Sequence, residues 1–234
     1  CGDHNILIDA ADKEPTDVVV EYLKRQGVTK LDLVVASHPH RDHIGQMDKV
    51  IQEFKIDKFI EPDISKDIIP TSVTYENMLK ALIEKNVKVQ LACPGESFNI
   101  GDIKVQIFGP INPHEIVNNN SVVVKITYGL VSFLFMGDAE KAEESDLINS
   151  VYDLKSTVLK VGHHGSGTSS TYKFLGKVNP EYAVISVGPS KSNTPKEKVV
   201  ERIKKFCDNI YRTDESGTVI FLTDGQEIKV ETEK

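Results

Sequence analysis

The sequence predicts a layered α/β protein in which two mixed β-sheets pack together and helices lie outside. Strand-like and helix-like segments alternate along the chain, which indicates βα units. Hairpin-like segments at the start of the chain, at 121–136 and at 218–231 add antiparallel strands to that pattern. The composition, with 39% hydrophobic and 27% charged residues, is that of an ordinary globular protein.

The first elements follow from local patterns. Residues 1–5 are typical of a hairpin tip that leads into a strand at 6–8, so we expect the partner strand before residue 1. Apolar positions at helical spacing predict a helix over 16–26, after Pro15 and before Gly27. The nearly continuous apolar run at 31–36 predicts a strand that is buried on both faces.

The same reasoning predicts the later elements. Helical periodicity recurs at 44–54, 72–85, 139–149 and 196–206. Extended, apolar segments predict strands at 57–61, 87–91, 103–108, 157–161 and 182–187, and hairpins that pair 121–128 with 130–136 and 218–223 with 227–231. Because no linker, repeat or change of composition divides the chain, we expect a single domain over 1–234.

Charge and cysteine content disfavour several classes of protein. A net charge of −7 disfavours nucleic-acid binding by bulk charge, although bound metal ions would supply local positive charge to a hydrolase of an anionic substrate. No apolar run approaches the roughly 20 residues that a membrane helix needs. The three cysteines, Cys1, Cys93 and Cys207, are too few and too far apart to indicate a disulfide framework.

The strongest chemical signal is one hexapeptide between a buried strand and a helix, His38-Pro39-His40-Arg41-Asp42-His43. In an extended stretch His38 and His40 point to the same side, and Asp42 and His43 can reach a neighbouring point at the turn. Imidazole and carboxylate are ligands that suit Zn(II), and Mn(II) or Fe(II) nearly as well. Because the chain holds only seven histidines, three within six residues favour a metal site over a polar surface loop.

Two weaker signals follow later strands. The segment Gly162-His163-His164-Gly165 places paired imidazoles at a strand end, where flanking glycines let the backbone approach closely. Asp138 follows a strand and a glycine, which suits a bridging carboxylate at a sheet edge. Each pattern alone is also common in ordinary loops and turns, so the two patterns indicate metal ligands only in combination with the hexapeptide.

Together these motifs resemble the metallo-β-lactamase superfamily. The order HxHxDH, a strand ending in Gly-Asp, and a strand ending in His-His-Gly-Ser carries the resemblance over nearly the whole chain. The narrower resemblance is to the hydrolase domain of the competence DNA-uptake family called ComEC and its stand-alone relatives. It implies an αββα sandwich of two mixed sheets with outer helices.

The resemblance also implies a site for two divalent ions, Zn(II) or Mn(II). Its ligands would be His38, His40, Asp42, His43, Asp138 and either His163 or His164. The first two would bind one ion, the next two the other, and the carboxylate of Asp138 would bridge both. Asp9 matches the family's first-strand aspartate, which braces the metal loops.

One departure concerns the first ion. Asn118, Asn119 and Asn120 stand where the wider superfamily has a third histidine, and the resemblance implies that the ComEC-type branch also lacks this histidine. We therefore expect the first site to be weaker, to fill only with substrate present, or to prefer Mn(II). His114 is the nearest histidine that could substitute.

The resemblance implies a phosphodiesterase or nuclease in which a metal-activated hydroxide attacks a phosphodiester, with Asp42 and Asp138 as catalytic residues. Single-stranded DNA is one candidate for the anionic substrate, and Ser166, Thr168, Lys160 and Arg41 are candidate contacts to it. Three alternatives remain: a phosphorylcholine esterase-like enzyme, a hydrolase of carboxylic esters or lactones, and a non-catalytic docking module. Relatives are extracytoplasmic domains of membrane proteins or stand-alone enzymes, so no compartment is predicted.

Overall fold

A computed structural model of the chain describes residues 2–14, 16–188 and 193–234. Two compact units comprise residues 1–92 with 113–122, and 93–112 with 123–234. They are called the first and the second unit below, and the single domain over 1–234 stays a prediction. Cys1 of the expected hairpin tip and Pro15 of the expected helix start lie outside the described residues. Within the described ranges, no helix has the length and apolarity to cross a membrane.

The first unit is built on a parallel sheet. Its elements are β1 (Ile6–Ile8), α1 (Val18–Arg25), β2 (Lys30–Leu31), β3 (Leu33–Val35), α2 (Arg41–Ile44), α3 (Met47–Glu53), β4 (Lys55–Ile56), β5 (Phe59–Glu61), α4 (Val73–Glu84), β6 (Val89–Leu91) and a 3-10 turn at Val117–Asn120. Four strands pair in the order β1-β3-β5-β6, all parallel, and β2 pairs with β4. The whole of β3 is buried, as the apolar run predicts.

This parallel arrangement brings the ends of distant segments to one place. The register pairs Ile8 with Val35, so the residues that follow β1 and β3 emerge side by side. Glu61 ends the next strand of the sheet, β5. Ligand sites of open α/β sheets lie outside the carboxyl ends of the strands, and this edge holds the histidine-rich loop.

The helix predicted over 44–54 is interrupted. The chain forms α2 and α3 instead, because the amides of Gly45 and Gln46 donate to the carbonyls of Ala11 and Ala10. A Cβ on Gly45 would stand 2.2 Å from the nitrogen of Lys13, so only glycine admits the 11–13 segment here. These two tertiary hydrogen bonds therefore end α2 just after the histidine-rich loop.

The second unit contains a mixed seven-stranded sheet. Its elements are β7 (Ser97–Ile100), β8 (Ile103–Gly109), β9 (Val123–Tyr128), β10 (Val131–Phe135), α5 (Lys141–Asn149), β11 (Val158–Lys160), a 3-10 turn at Gly162–Gly165, α6 (Tyr172–Val178), β12 (Tyr182–Ile185), α7 (Glu197–Ile203), β13 (Asn209–Arg212), α8 (Thr213–Ser216), β14 (Val219–Thr223) and β15 (Ile228–Thr232). The sheet order is β13-β12-β11-β10-β9-β8-β7, parallel from β13 to β10 and antiparallel beyond. Both predicted hairpins form, β9 with β10 and β14 with β15.

Candidate metal centre

The first metal group consists of His38, His40, Asp42 and His43, in the loop between β3 and α2 and in the first turn of α2. The His38 ring centroid lies 4.7 Å from that of His40 and 4.2 Å from that of His43. Nε2 of His38 is 3.0 Å from Nδ1 of His40. His38 and His43 are buried, so the loop holds their rings close together rather than displaying them to solvent. Three of the predicted ligands therefore converge within the first unit.

Asp9 and Ser37 orient two of these rings. Asp9 accepts hydrogen bonds from the amide and hydroxyl of Ser37, at 2.7 and 2.8 Å, and from Nδ1 of His43 at 2.7 Å. The Ser37 hydroxyl also lies 3.1 Å from Nδ1 of His38. A proton on Nδ1 leaves Nε2 of His43 as the atom with a free lone pair for a metal. Asp9 is thus placed as a brace, the role that the resemblance implies.

The charge state of Asp9 fits that role. Burial is the largest effect on its pKa and would raise it, but the positive charge and hydrogen bond of His43, the Ser37 amide and the charge of His38 together outweigh burial. The pKa of Asp9 therefore lies below its ordinary value. The carboxylate stays ionised and can polarise the imidazole that it contacts.

Asp42 and Arg41 lie on the solvent side of this group. Asp42 is exposed in the first turn of α2, and one of its ligand atoms lies within 4.8 Å of a ring nitrogen of His43. The guanidinium of Arg41 pairs instead with Asp12, with Nε 2.8 Å from Oδ1. As a substrate contact, Arg41 stays a prediction, since its side chain is exposed and can leave the half-buried Asp12.

Glu61 lines a cavity beside His38 that the sequence did not indicate. The cavity encloses about 10 Å³, the room of one water molecule, and its other walls include Pro39, Tyr75 and Met78. Burial raises the pKa of Glu61 to about 7. Burial, together with the charge of Glu61, raises the pKa of Tyr75 to about 12. The position of Glu61 at a strand end is the signal that could have identified it.

The three asparagines are buried in the 3-10 turn of the first unit. The Asn120 amide nitrogen donates to the carbonyls of His114 and Ile116, and its oxygen accepts the amide proton of His114 at 3.0 Å. The side chain of Asn120 thus closes its own loop. Within the described residues, His114 shares no metal-ligand cluster with His38 or His40. The structure therefore does not support the prediction that His114 replaces the missing third histidine.

The second metal group consists of Asp138, His163 and His164, in the second unit. Asp138 follows β10 and the histidines follow β11, which are parallel neighbours. The amide of His163 donates to the carbonyl of Gly137 at 3.1 Å and ties the two strand ends together. Nε2 of His164 lies 3.5 Å from one carboxylate oxygen of Asp138, and Nε2 of His163 lies 3.7 Å from the other. The carboxylate of Asp138 therefore faces both imidazoles.

The two histidines are held differently. Both adopt left-handed backbone conformations, with φ of 48° and 52°, which are uncommon for non-glycine residues. Nδ1 of His164 donates to the main-chain carbonyl of Ser186 at 2.7 Å. Nδ1 of His163 lies 3.1 Å from Glu140 and 3.2 Å from the hydroxyl of Thr168. Sequence reasoning missed Glu140, although it stands only two positions after Asp138.

The other predicted contacts of this unit are also placed. The hydroxyls of Ser166 and Thr168 lie 3.0 Å apart, beside His163 as expected. The ammonium of Lys160 donates to the carbonyl of Val161 at 3.3 Å. Ser166 and Thr168 are thus adjacent to the second metal group, while Lys160 has a structural contact of its own.

Comparison with known proteins identifies the family. The model of the metallo-beta-lactamase superfamily matches residues 2–188. The chain belongs to this superfamily. A crystal structure of the metallo-beta-lactamase fold protein YhfI from Bacillus subtilis aligns with 99% of this chain and 89% of its own, with a TM-score of 0.59 and 13% identity. That likeness confirms the predicted fold class.

The curated relatives of this chain include proteins that are named for competence. ComE operon protein 3 of Bacillus subtilis is 29% identical over 204 residues, which cover 86% of this chain and 26% of that protein. Competence protein ComA of Neisseria gonorrhoeae is 29% identical over 206 residues, 87% of this chain and 27% of that protein. The ComEC-type resemblance is confirmed. The chain spans about a quarter of the length of these relatives.

The donor atoms of each group fit divalent ions of the kind that this superfamily binds. Two ligand atoms about 2.0–2.2 Å from one ion stand about 3.0–3.5 Å apart at four- to six-coordinate angles. The 3.0 Å between His38 Nε2 and His40 Nδ1 lies at the short end of that range. The 3.5 Å between His164 Nε2 and Asp138 Oδ1 lies at its long end. Each pair can therefore share an ion, with Zn(II) and Mn(II) both compatible.

Proposed function

We propose that this chain is a metal-dependent phosphodiesterase that acts on nucleic acid. In it, the first and second metal groups together would supply the ligands of two divalent ions, with His38, His40, Asp42, His43, Asp138 and His164 as ligands. The observation that carries the proposal is the convergence of His38, His40 and His43, whose rings an ionised aspartate braces from behind. The superfamily supports hydrolysis in general, and the competence relatives favour a nucleic-acid substrate.

Divalent ions, when bound, would lower the pKa of a water molecule and neutralise charge that develops on the phosphoryl oxygens. The protein's own part is to hold the ligands and to accept the proton. Asp42 suits proton transfer better than Asp138, because its carboxylate is exposed and can pass the proton to solvent, whereas Asp138 is buried between two imidazoles. We therefore assign proton acceptance to Asp42 and bridging to Asp138.

A substrate panel tests the proposal. Purified protein would first be analysed for bound metals, then assayed with Mn(II) and Zn(II) on bis(p-nitrophenyl) phosphate. Single-stranded DNA, duplex DNA, p-nitrophenylphosphorylcholine and a lactone would follow under the same conditions. We expect turnover of the aryl diester and of DNA, with DNA preferred over the choline ester. Faster turnover of the lactone, or of the choline ester, would support the corresponding alternative. Metal binding without any turnover would support a docking module.

A further inference from the structure

A short polar loop leads from His163 to the surface of the second unit. The hydroxyl of Thr168 lies 3.2 Å from Nδ1 of His163, and the Ser166 hydroxyl lies 3.0 Å from that of Thr168. Gly167, between them, is exposed, and within the described part of the chain its amide donates no hydrogen bond. A pair of hydroxyls that share one hydrogen bond, and an open amide that can donate, therefore adjoin the second metal group.

Lys198 lies over this loop, although it is 30 positions beyond Thr168. A Cβ built on Gly167 would stand 3.1 Å from Cε and 3.3 Å from Nζ of Lys198. The amide of Lys196 donates to the carbonyl of Gly165 at 3.0 Å and fixes the start of α7 against the loop. Among the described residues, Lys198 takes part in no ion pair, and its side chain is exposed. The protein thus places an available positive charge beside the loop's donors.

We propose that Lys198, with Ser166, Thr168 and the Gly167 amide, binds a phosphate of a nucleic-acid strand next to the scissile phosphodiester. This inference rests on the proposed function and narrows its substrate class. An ammonium, two hydroxyls and a main-chain amide are the donors with which proteins fix phosphate groups in register. A choline phosphodiester has one phosphate and a cationic headgroup, so it would leave this site empty or be repelled by Lys198. A polynucleotide supplies a second phosphate.

The absence of a side chain on Gly167 supports this role. The φ of Gly167 lies outside the left-handed region, so the backbone conformation does not demand glycine. A methyl group at this position would instead disturb the Lys198 side chain, because the added Cβ would stand 3.1 Å from Cε of Lys198. Gly167→Ala should therefore move the ammonium while leaving the loop's backbone intact.

The test measures binding of fluorescein-labelled oligothymidylate to metal-free protein by anisotropy, over a series of salt concentrations. We expect Lys198→Gln to weaken binding about fivefold. The slope of log affinity against log salt concentration should become shallower by about 0.7, which corresponds to the loss of one phosphate contact on a single strand. Gly167→Ala should weaken binding in the same direction. Lys204→Gln is the matched control, because it removes the same charge from an exposed lysine that directly follows α7, about 9 Å from Lys198 along the helix axis. This variant should bind as the wild type does.

The outcomes separate this inference from the proposed function. Equal weakening by Lys198→Gln and Lys204→Gln would overturn the inference, as would absence of binding by the metal-free wild type. Turnover of bis(p-nitrophenyl) phosphate by the wild type would uphold the proposed function even then. Conversely, binding that depends on Lys198 without hydrolysis of any phosphodiester would uphold the site and overturn the reaction.

Discussion

Oδ2 of Asp9 lies 2.7 Å from Nδ1 of His43, although 34 positions separate the two residues in the chain. The parallel pairing of β1 with β3 brings them together, since each residue belongs to the segment that follows one of these strands. Asp9 also accepts both hydrogen bonds that Ser37 donates. One half-buried carboxylate therefore orients the ring of a predicted ligand and holds the loop that carries it.

Asp9→Asn should weaken metal binding. An amide can still accept a hydrogen bond, but it lacks the charge that raises the basicity of His43, so we expect a 10- to 100-fold loss of affinity. Competition with a chromophoric chelator for Zn(II) and Mn(II) measures it. Asp63→Asn, at an exposed aspartate, is the control. Equal affinities of the two variants would show that Asp9 has no part in metal binding.

Asp42→Ala should abolish turnover and leave the fold intact. Because Asp42 is exposed, its truncation should change the free energy of unfolding by no more than about 0.5 kcal/mol. Loss of a ligand and proton acceptor should lower kcat by about 10²- to 10⁴-fold on bis(p-nitrophenyl) phosphate. Urea unfolding of the same preparation separates the two effects. Retained activity in a folded variant would refute the two-ion mechanism.

The sequence predicted the site best where its residues are contiguous. His38, His40 and His43 lie within six positions, so strand and turn geometry alone brings them together. The choice between His163 and His164 stayed open, because it depends on the carbonyl of Ser186, 22 positions after His164. Such contacts come from strand order, which local periodicity does not encode.

The same limit explains the elements that the sequence did not predict. The helix at Tyr172–Val178 spans only seven residues and contains Gly176, so its apolar periodicity is weak. The strand at Asn209–Arg212 is an edge strand of four residues. In contrast, long periodic segments such as Val73–Glu84 formed as predicted, there with Ser72 accepting the cap hydrogen bond from Tyr75.

His164→Ala should lose one metal ion, whereas His163→Ala should retain both. The ring of His164 is fixed by a main-chain carbonyl, so its Nε2 is held 3.5 Å from Asp138. His163 is held by the side chains of Glu140 and Thr168 and lies slightly farther away. Elemental analysis of protein dialysed against Zn(II) gives the stoichiometry. The reverse pattern would assign the ligand to His163 instead.

Glu61→Gln should make stability less dependent on pH. Burial raises the pKa of Glu61 from 4.5 to about 7, so folding favours the protonated acid. The stabilisation from this group is complete below pH 4.5 and is lost as pH rises through 7. Between these limits the wild type should lose about 3 kcal/mol that the variant does not lose. Urea unfolding of metal-free protein at several pH values measures the difference.

Glu76→Gln provides the control for this experiment. Glu76 lies on α4 next to Tyr75, but its side chain is exposed and pairs with Lys80 at 3.7 Å, so its removal should leave the pH profile of the wild type unchanged. Metal-free protein is required because His38, a predicted ligand, borders the same cavity, and a bound cation there would favour ionised Glu61. If wild type and Glu61→Gln showed parallel pH profiles, Glu61 would be ionised at neutral pH, and water would have to reach its carboxylate inside the cavity.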